Sequence, residues 1–250
     1  MKRPSIICVI PARLKSERFP RKILAHIDGK PLIQHTWQAA MSVSLFDEVI
    51  IALDDNETID VVKTFTHNYH LTDPSIPSGT HRLIATMNDL DKKADIWVNW
   101  QADEPFISEH NILELLGHNP QVTGAHIWTL KTPIKNAHEI TSPNIVKVVF
   151  NEKEQAMYFS RSPIPFARNG NFYAHQYYRH IGLYAYTYEA LQLINTTPES
   201  PLAQIECLEQ LTFLARGIPI TIHSTEQMTI GIDTEEDLAL AKKHYLRTIA

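Results

Sequence analysis

Five cationic side chains follow the first apolar segment of the sequence within one short stretch. The apolar run "SIICVIPA" leads directly into "RLKSERFPRK", which carries Arg13, Lys15, Arg18, Arg21 and Lys22. The chain as a whole has a net charge of −5, so this cluster is a local feature. Cationic side chains are suited to binding phosphates. The segment therefore predicts a phosphate-binding loop, although a solvated basic loop would have the same composition.

The cationic loop differs from the two common glycine-rich phosphate loops. A Walker loop needs "GxxxxGK[ST]" and a dinucleotide-binding turn needs three glycines, whereas "PARLKSERFPRK" contains no glycine. If this loop binds phosphates, its side chains rather than its backbone amides must hold them.

Carboxylates follow apolar segments at two distant places. Asp103 and Glu104 come directly after an apolar run in "VNWQADEP", and Asp233 lies in "TIGIDTEEDL". Mg²⁺ is commonly bound by one or two carboxylates together with substrate phosphates. Asp233 has a second interpretation, because "DTEED" is also a good N-terminal cap for a helix. A cationic loop and two such aspartates together make a nucleotidyltransferase plausible.

The elements that must position these residues alternate along the chain. Apolar runs predict buried parallel strands, and amphipathic segments with caps predict helices between them. This alternation favours an α/β fold with a mainly parallel sheet and helices on both faces. Such sheets bind ligands at the carboxyl ends of their strands, where the cationic loop lies. The strands are predicted at "SIICVIPA", "EVIIAL" and "IWVNWQA", and the helices at "PLIQHTWQAAMS", "DDNETIDVVKTFTHN", "THRLIATMNDL" and "TEEDLALAKKHYLRT".

The pattern changes in the middle of the chain. "NIVKVVF", "NEKEQ" and "AMYFS" predict a hairpin, "HIGLYAYT" predicts a further strand, and "QIECLEQLTFLARG" predicts one helix that ends at a C-cap glycine. We interpret residues 1–250 as a single domain in which residues 134–186 form a small inserted β-rich lobe.

Composition excludes several classes of protein. The chain is 44% hydrophobic and 20% charged, and no apolar run approaches the about 18 residues of a membrane helix. The apolar run within its start, "MKRPSIICVIPAR", is too short for the apolar core of a secretory signal. The two cysteines, Cys8 and Cys207, are expected to be reduced thiols. The sequence thus predicts a cytoplasmic protein with no membrane and no nucleic-acid partner.

The whole chain resembles the CMP-Kdo synthetases, the 3-deoxy-manno-octulosonate cytidylyltransferases. The resemblance implies the nucleotide-diphospho-sugar transferase fold, which is glycosyltransferase A-like. It also implies that the anomeric hydroxyl of a 2-keto sugar acid attacks the α-phosphate of CTP, for lipopolysaccharide or capsule synthesis. The strings that carry the resemblance, in order, are "IPARLKSERFPRK", "GKPLIQHTW", "PSGTHRL", "VNWQADEPFI", "SPNIVKVV", "MYFSRSPIPF", "RHIGLYAY", "LEQLTFL" and "GIDTEEDL".

The resemblance assigns site residues position by position. The residues implied to act in catalysis are Arg13, Arg18, Lys22, Asp103 and Asp233, of which the two aspartates are the implied ligands of Mg²⁺. The residues implied to bind the nucleotide are Ala12, Arg13, Ser78, Gly79, Thr80, Arg82 and Gln101. The residues implied to bind the sugar acid are Gln101, Arg161, His180, Tyr184, Glu209 and Gln210. His180 could instead be a general base or an ordinary strand histidine. A homodimer is also implied, and we expect residues 134–186 to form part of its interface.

Four positions depart from the family pattern. They are Arg21, where glycine is usual, Ile76, where histidine is usual, His81, where an acidic residue is usual, and Ala102, where glycine is usual. These changes lie around the implied nucleotide site. They leave open a paralogue that activates another acid, such as an amino-Kdo, another nonulosonate-like acid or a phosphonate. A nucleotide-binding protein without turnover and a glycosyltransferase of related fold also stay open, although "QADEP" lacks the D-x-D spacing of the latter.

Overall fold

The structure is a computed structural model that describes residues 3–16, 18–117, 120, 122–170, 176–227 and 229–249. The chain divides into two compact units. Unit 1 comprises Met1–Ile112 and Thr229–Ala250, and unit 2 comprises Leu113–Met228. The segment 134–186, expected to form an inserted lobe, lies within unit 2, which extends beyond it on both sides.

Strands and helices alternate through the described residues. The strands are β1 (Ile6–Ala12), β2 (His26–Ile27), β3 (Lys30–Pro31), β4 (Glu48–Leu53), β5 (Tyr69–Leu71), β6 (Ile96–Asn99), β7 (Ile127–Pro133), β8 (Lys147–Phe150), β9 (Ala156–Ser160), β10 (Tyr178–Thr187) and β11 (Ile220–Ser224). The α-helices are α1 (Leu32–Met41), α2 (Asn56–Val62), α3 (Gly79–Asp89), α4 (Glu109–Leu116), α5 (Ala137–Thr141), α6 (Tyr188–Thr196), α7 (Pro201–Glu206), α8 (Gln210–Ala215) and α9 (Glu235–Ile249). A short 3-10 helix covers Lys22–Leu24.

Unit 1 is built on a parallel sheet. β1 pairs in parallel with β4 on one side and with β6 on the other, and β5 pairs in parallel with β4. All seven residues of β1 are buried, as expected for a central strand covered on both faces. The carboxyl ends of these strands meet at one edge, so the loops that follow β1 and β6 lie on the same side of the sheet. The predicted parallel sheet is confirmed here.

Local signals explain where the helices of unit 1 begin. Pro31 precedes α1, where its fixed φ suits a helix start. The Asp55 side chain accepts a hydrogen bond from the backbone N–H of Glu57 and caps α2. The hydroxyl of Ser78 accepts a hydrogen bond from the N–H of His81 and caps α3.

Unit 2 is mainly antiparallel. β10 pairs antiparallel with β7, β8 pairs antiparallel with β9, and Arg179 of β10 pairs with Lys147 of β8. β11 pairs in parallel with β7. The predicted hairpin is therefore present as β8 and β9, whereas the sequence analysis contained no prediction for β7 or β11.

The helix predicted over "QIECLEQLTFLARG" is interrupted, and the prediction of one continuous helix is wrong. α7 ends at Glu206, Cys207 adopts a left-handed conformation with φ 51°, and α8 begins at Gln210. The Glu206 carboxylate accepts hydrogen bonds from Ser160 Oγ and from the N–H of Arg161, and these tertiary contacts hold the end of α7 against β9. Gly217, with φ 73°, follows the end of α8 as predicted.

In the described part of the chain, no helix combines the length and the apolar character needed to cross a bilayer.

Candidate active site

Three segments that are distant in sequence meet at Lys22 in unit 1. The Lys22 ammonium is buried and donates to Asp103 Oδ2 at 2.6 Å and to Asp233 Oδ1 at 2.8 Å. Arg18 Nη2 lies 2.9 Å from the other oxygen, Oδ2, of Asp233. The structure thus brings together four of the residues implied by the family resemblance: two cations from the first loop and the two aspartates.

The backbone explains why the two aspartates lie close together. The N–H of Ile232 donates to the carbonyl oxygen of Asp103 at 2.9 Å, which joins their two segments directly. Ile232 is fully buried and packs in an apolar cluster with Ile27 and Leu32. Burial of this side chain places the next residue, Asp233, beside Lys22.

The helix cap at the start of α9 does not use the Asp233 side chain. The Thr234 hydroxyl accepts a hydrogen bond from the N–H of Asp237, and the Asp237 carboxylate accepts from the N–H groups of Asp233 and Thr234. This reciprocal arrangement is a capping box. The cap interpretation of Asp233 is therefore wrong, and its carboxylate is available to Lys22 and Arg18.

Burial and charge have opposite effects on the pKa values of this cluster. Burial raises the pKa of Asp233, but the hydrogen bonds and charges of Lys22 and Arg18 outweigh it and hold this pKa below its ordinary value. Burial lowers the pKa of Lys22, but Asp103 and Asp233 outweigh it and raise this pKa above its ordinary value. The Asp233 carboxylate and the Lys22 ammonium are therefore both charged at neutral pH.

The donor set fits a hard divalent cation. Oxygens of Asp103 and Asp233 converge on one point, where Lys22 Nζ now lies, and carboxylate oxygens are the ligands that Mg²⁺ prefers. Within the described residues, no group of three or more His, Cys, Asp or Glu side chains is placed to hold a metal. Two carboxylates alone hold Mg²⁺ incompletely, so a metal here would need oxygens from a substrate.

Two other arginines of the first loop have separate partners. Arg13 directly follows Ala12, the buried last residue of β1. Its Nη2 donates to the carbonyl oxygen of Ile76 at 3.0 Å. Arg21 is 62% exposed at its side chain and forms an ion pair with Glu57. Its φ of 58° is a left-handed conformation, which glycine adopts without steric cost.

The start of α3 is tied to the end of β6. An added Cβ on Gly79 would lie 3.0 Å from Gln101 Nε2, so glycine lets the start of α3 lie close to this side chain. Gln101 Nε2 donates to Asn99 Oδ1 at 3.0 Å, and Asn99 Nδ2 donates to Thr80 Oγ1 at 3.3 Å. His81 Nδ1 lies 2.8 Å from Ser78 Oγ. His81, one of the four residues that depart from the family pattern, therefore contacts the N-cap residue of α3.

Arg82 lies in the interior of unit 1 rather than on its surface. Its side chain is fully buried, 3.6 Å from an Asp54 oxygen, and it donates to the hydroxyl of Thr72. Asp54 also accepts from the N–H of Leu14 at 2.9 Å. Arg82 therefore links α3 to the loop after β1, and its direct contact with a nucleotide stays a prediction.

In unit 2, Arg161 is held by backbone carbonyls. Its Nε donates to the carbonyl oxygen of Glu206 at 2.8 Å, and its two Nη atoms contact the carbonyl oxygens of Pro143 and Cys207. The carbonyl oxygen of Arg161 accepts from the buried ammonium of Lys147.

His180 and Tyr184 lie next to each other on β10. The His180 ring centroid is 5.3 Å from that of Tyr184 and 5.0 Å from that of Phe159. Burial, with a smaller contribution from Arg179, lowers the pKa of His180 to about 3. Burial, then the neighbouring Tyr186 and Glu209, raise the pKa of Tyr184 well above its ordinary value.

The other two sugar-acid candidates stand at the start of α8. Glu209 is the N-cap residue of this helix, and Gln210, its first residue, is buried. The effect of Glu209 on the pKa of Tyr184 places the two side chains within electrostatic range. Unit 2 thus brings its candidates together at β9, β10 and the α7–α8 junction.

Sequence reasoning missed several residues that support these groups. They are Asp54, Asn99, Thr129 and Lys147. Asn99 and Lys147 had a visible signal, because each is a polar residue in an apolar strand. Asp54 and Thr129 had none, because their partners lie 28 to 54 residues away.

Comparison with known proteins finds similar sequences over nearly the whole chain. A family profile described as cytidylyltransferase matches residues 7–226. The 3-deoxy-manno-octulosonate cytidylyltransferase of Thermodesulfovibrio yellowstonii is 40% identical over 95% of this chain and 96% of that protein. The protein of the same name from Chlorobium limicola is 38% identical over 97% of this chain and 98% of its own length.

Solved structures agree as well. CMP:2-keto-3-deoxy-manno-octonic acid synthetase, complexed with CTP, matches with a TM-score of 0.88 and 37% identity, over 98% of this chain and 99% of that chain. A 4-diphosphocytidyl-2C-methyl-D-erythritol synthase from Anaerococcus prevotii matches with a TM-score of 0.61 at 18% identity and shares the fold alone. The mainly parallel α/β fold predicted for this chain, which is like that of nucleotide-sugar transferases, is therefore confirmed.

The chain belongs to the cytidylyltransferase family. Within that family, the proteins reported above at 37–40% identity are the enzymes named for 3-deoxy-manno-octulosonate, so the resemblance drawn from the sequence motifs is confirmed.

Proposed function

We propose that this protein transfers CMP from CTP to a 2-keto sugar acid, most specifically 3-deoxy-manno-octulosonate, and releases pyrophosphate. The observation that carries the proposal is the cluster of Lys22, Arg18, Asp103 and Asp233 at the carboxyl ends of the parallel strands. Relatives with this name and a CTP-bound structural neighbour support the same substrates. The product would serve lipopolysaccharide or capsule synthesis.

The reaction exchanges a phosphoanhydride bond for a phosphate ester bond. The anomeric oxygen of the sugar acid forms a bond to the α-phosphorus of CTP, the bond from that phosphorus to the pyrophosphate oxygen breaks, and the hydroxyl proton is lost to water. Such a transfer depends on positioning and charge neutralisation more than on a protein nucleophile. Arg13, Arg18 and Lys22 would bind the triphosphate and stabilise the leaving pyrophosphate.

Asp103 and Asp233 would hold Mg²⁺. When bound, this ion would neutralise phosphate charge and lower the pKa of the attacking hydroxyl. In the structure the Lys22 ammonium neutralises the same two carboxylates. On binding of CTP with Mg²⁺, Lys22 would exchange a carboxylate partner for a phosphate oxygen. The metal ion would then replace Lys22 as the counter-charge of that carboxylate.

Unit 2 would supply the sugar-acid site. Arg161 has five N–H donors, and three of them contact backbone carbonyls, which leaves two for a substrate carboxylate. His180 would accept a hydrogen bond rather than act as a general base, because a pKa of about 3 makes it a weak base at neutral pH.

We propose further that the enzyme acts in the cytoplasm as a homodimer. Cys8 and Cys207 are both free thiols, which suits a reducing compartment. Within residues 134–186, Met157 is 62% exposed and Phe166 is 84% exposed, and large apolar side chains at that exposure suit a surface covered by a second copy.

A pyrophosphate-release assay tests the proposed reaction. With Mg²⁺ and CTP, the wild type should release pyrophosphate with 3-deoxy-manno-octulosonate faster than with other 2-keto sugar acids. Asp103→Asn and Asp233→Asn should each abolish turnover and leave the circular dichroism spectrum unchanged. Removing Mg²⁺ with a chelator should have the same effect. Asp91→Asn is the matched control, because Asp91 is an exposed turn residue that should tolerate the change.

The alternatives give different results in this assay. A protein that binds CTP but releases no pyrophosphate with any acid of the panel would be a binding module without turnover. Faster turnover of an amino-Kdo, another nonulosonate-like acid or a phosphonate would identify a paralogue. Transfer from a sugar-nucleotide donor would identify a glycosyltransferase. A single aspartate variant with a near wild-type rate would remove that aspartate from the metal site.

A further inference from the structure

A buried threonine in unit 2 contacts the imidazole of His180. The hydroxyl oxygen of Thr129, on β7, lies 2.9 Å from His180 Nε2. The same oxygen lies 3.1 Å from the carbonyl oxygen of Ile181 and 2.9 Å from that of Leu183. Thr129 is fully buried, so water does not compete for these contacts. The family resemblance assigned no role to Thr129.

These three contacts determine which imidazole nitrogen carries the proton. A threonine hydroxyl has one proton to donate and two lone pairs that accept. Both carbonyl oxygens can only accept, so the proton of Thr129 must point toward them. His180 Nε2 must then donate its own proton to Thr129. In the neutral ring, Nδ1 consequently carries the lone pair.

The contacts also fix the path of β10. The register between β10 and β7 shifts between Ile181 and Tyr184, which is a bulge. The Thr129 hydroxyl lies within hydrogen-bond distance of carbonyl oxygens on both sides of Gly182, inside this bulge, and its one proton is shared between them. Bulges re-aim the side chains beside them. Thr129 therefore fixes the backbone and the ring of His180 at once.

The surroundings of His180 keep its ring neutral and closely packed. Phe159 and Tyr184 pack against the imidazole at ring-centroid distances of 5.0 and 5.3 Å. Burial, reinforced by Arg179, lowers the pKa of His180 to about 3. Among the described residues no hydrogen bond reaches Nδ1, so no described group of the protein occupies its lone pair.

We infer that Thr129 is a positioning residue that holds His180 in the Nε2–H tautomer and turns the Nδ1 lone pair toward a hydroxyl group of the sugar-acid substrate. The inference deepens the proposed function and rests on it for the identity of the substrate. His180 would recognise a hydroxyl group of the sugar acid, whereas Arg161 would recognise its carboxylate.

The first measurement needs no variant. Protein labelled with ¹⁵N-histidine should show, in long-range proton–nitrogen correlation spectra at neutral pH, one neutral Nε2–H histidine that His180→Gln removes. Finding that resonance as an Nδ1–H tautomer, or as a charged imidazolium, would overturn the inference whatever the variants do.

The second measurement uses paired substitutions. Thr129→Val keeps the shape but removes the hydroxyl, and Thr129→Ser keeps the hydroxyl. In Thr129→Val the tautomer should become mixed, and the KM for the sugar acid should rise about three- to tenfold, the range expected for one lost hydrogen bond. The KM for CTP should not change. Thr129→Ser should restore both the tautomer and the KM.

Thr58→Val is the matched control. Thr58 is also fully buried, and within the described residues its hydroxyl has no hydrogen-bond partner, so this substitution should leave all three readouts unchanged. A wild-type tautomer and KM in Thr129→Val would reject the role of Thr129. If the tautomer is as expected but no sugar acid is turned over, the proposed function and the substrate contact fail together, while the effect of Thr129 on His180 stands.

Discussion

Lys22 lies between the two carboxylates that are the candidate metal ligands of unit 1. Its ammonium is the buried counter-ion of Asp103 and Asp233, and Arg18 is a second, more exposed one on Asp233. Cations that already lie beside carboxylates can neutralise phosphates without a large rearrangement. The first loop is therefore preorganised for an anionic ligand by side chains, which compensates for its lack of glycine.

Arg18 and Arg21 should differ sharply although both are exposed arginines of one loop. Arg18 lies at Asp233, so Arg18→Ala should lower kcat/KM for CTP by about ten- to a hundredfold, because a charge-assisted contact to phosphate contributes roughly 1.5–3 kcal/mol. Arg21 pairs with Glu57 instead, so Arg21→Ala should change kcat/KM little. Steady-state kinetics at saturating sugar acid measures both. A silent Arg18→Ala beside a damaging Arg21→Ala would show that the loop is assigned wrongly.

His180 should make the protein sensitive to acid. Its pKa falls from 6.5 in the unfolded chain to about 3 in the fold, so below pH 6.5 the unfolded state binds a proton that the folded state excludes. Its stabilising contribution is complete above 6.5 and is lost as the pH falls toward 3. Between about pH 7.5 and about pH 5 this single group should remove about 2 kcal/mol from the free energy of unfolding.

Urea unfolding across this pH range measures the effect. In His180→Asn, the unfolding free energy should fall less between about pH 7.5 and about pH 5, and the difference from the wild type should be about the same 2 kcal/mol. His67→Asn is the control, because His67 is exposed and this variant should follow the wild-type curve. Parallel curves for the wild type and His180→Asn would show that His180 titrates normally in the folded protein.

At the scale of elements, the junction between α7 and α8 stores backbone strain at Cys207. A left-handed conformation costs an L-residue about 1–2 kcal/mol, and glycine avoids that cost but loses about 0.5–1 kcal/mol through unfolded-state entropy. Cys207→Gly should therefore stabilise the protein by up to about 1 kcal/mol. Cys207→Val should destabilise it by about 1–2 kcal/mol, because a β-branched residue tolerates positive φ poorly.

The midpoint of urea unfolding reports both variants. Ile205→Gly is the opposite control, because Ile205 is an exposed residue inside α7, where glycine should destabilise by roughly 0.5 kcal/mol. If Cys207→Gly and Ile205→Gly shifted the midpoint in the same direction, the strain at Cys207 would be too small to matter.

At the scale of the whole molecule, the proposed homodimer is the property open to direct measurement. Sedimentation velocity at micromolar concentration should show a dimer for the wild type. The double variant Met157→Ser with Phe166→Ser should be monomeric, because it removes two strongly exposed apolar side chains from residues 134–186. Met41→Ser, a change at a residue of unit 1 that is 54% exposed, should remain dimeric. A monomeric wild type would reject the dimer.

The elements of the fold could be predicted where their signals are local. The apolar runs that became β1, β4 and β10 and the capped segments that became α2 and α9 show periodicity and caps within a few residues. β7 and β11 were not predicted, because their apolar runs lack distinctive boundaries in the sequence. The break at Cys207 was not predicted either, because Glu206 is held by Ser160 and Arg161, more than 40 residues away.

The class of protein, the parallel sheet and the identity of the candidate residues could be predicted from the sequence, because residue types and motif order are local properties of the chain. The pairing of those residues is visible only in the folded chain. Lys22 meets Asp103 across 81 positions and Asp233 across 211, Thr234 rather than Asp233 caps α9, and Thr129 reaches His180 across 51. Such pairings depend on strand order and on close packing of the core, which bring distant segments within hydrogen-bond range and which no short stretch of sequence encodes.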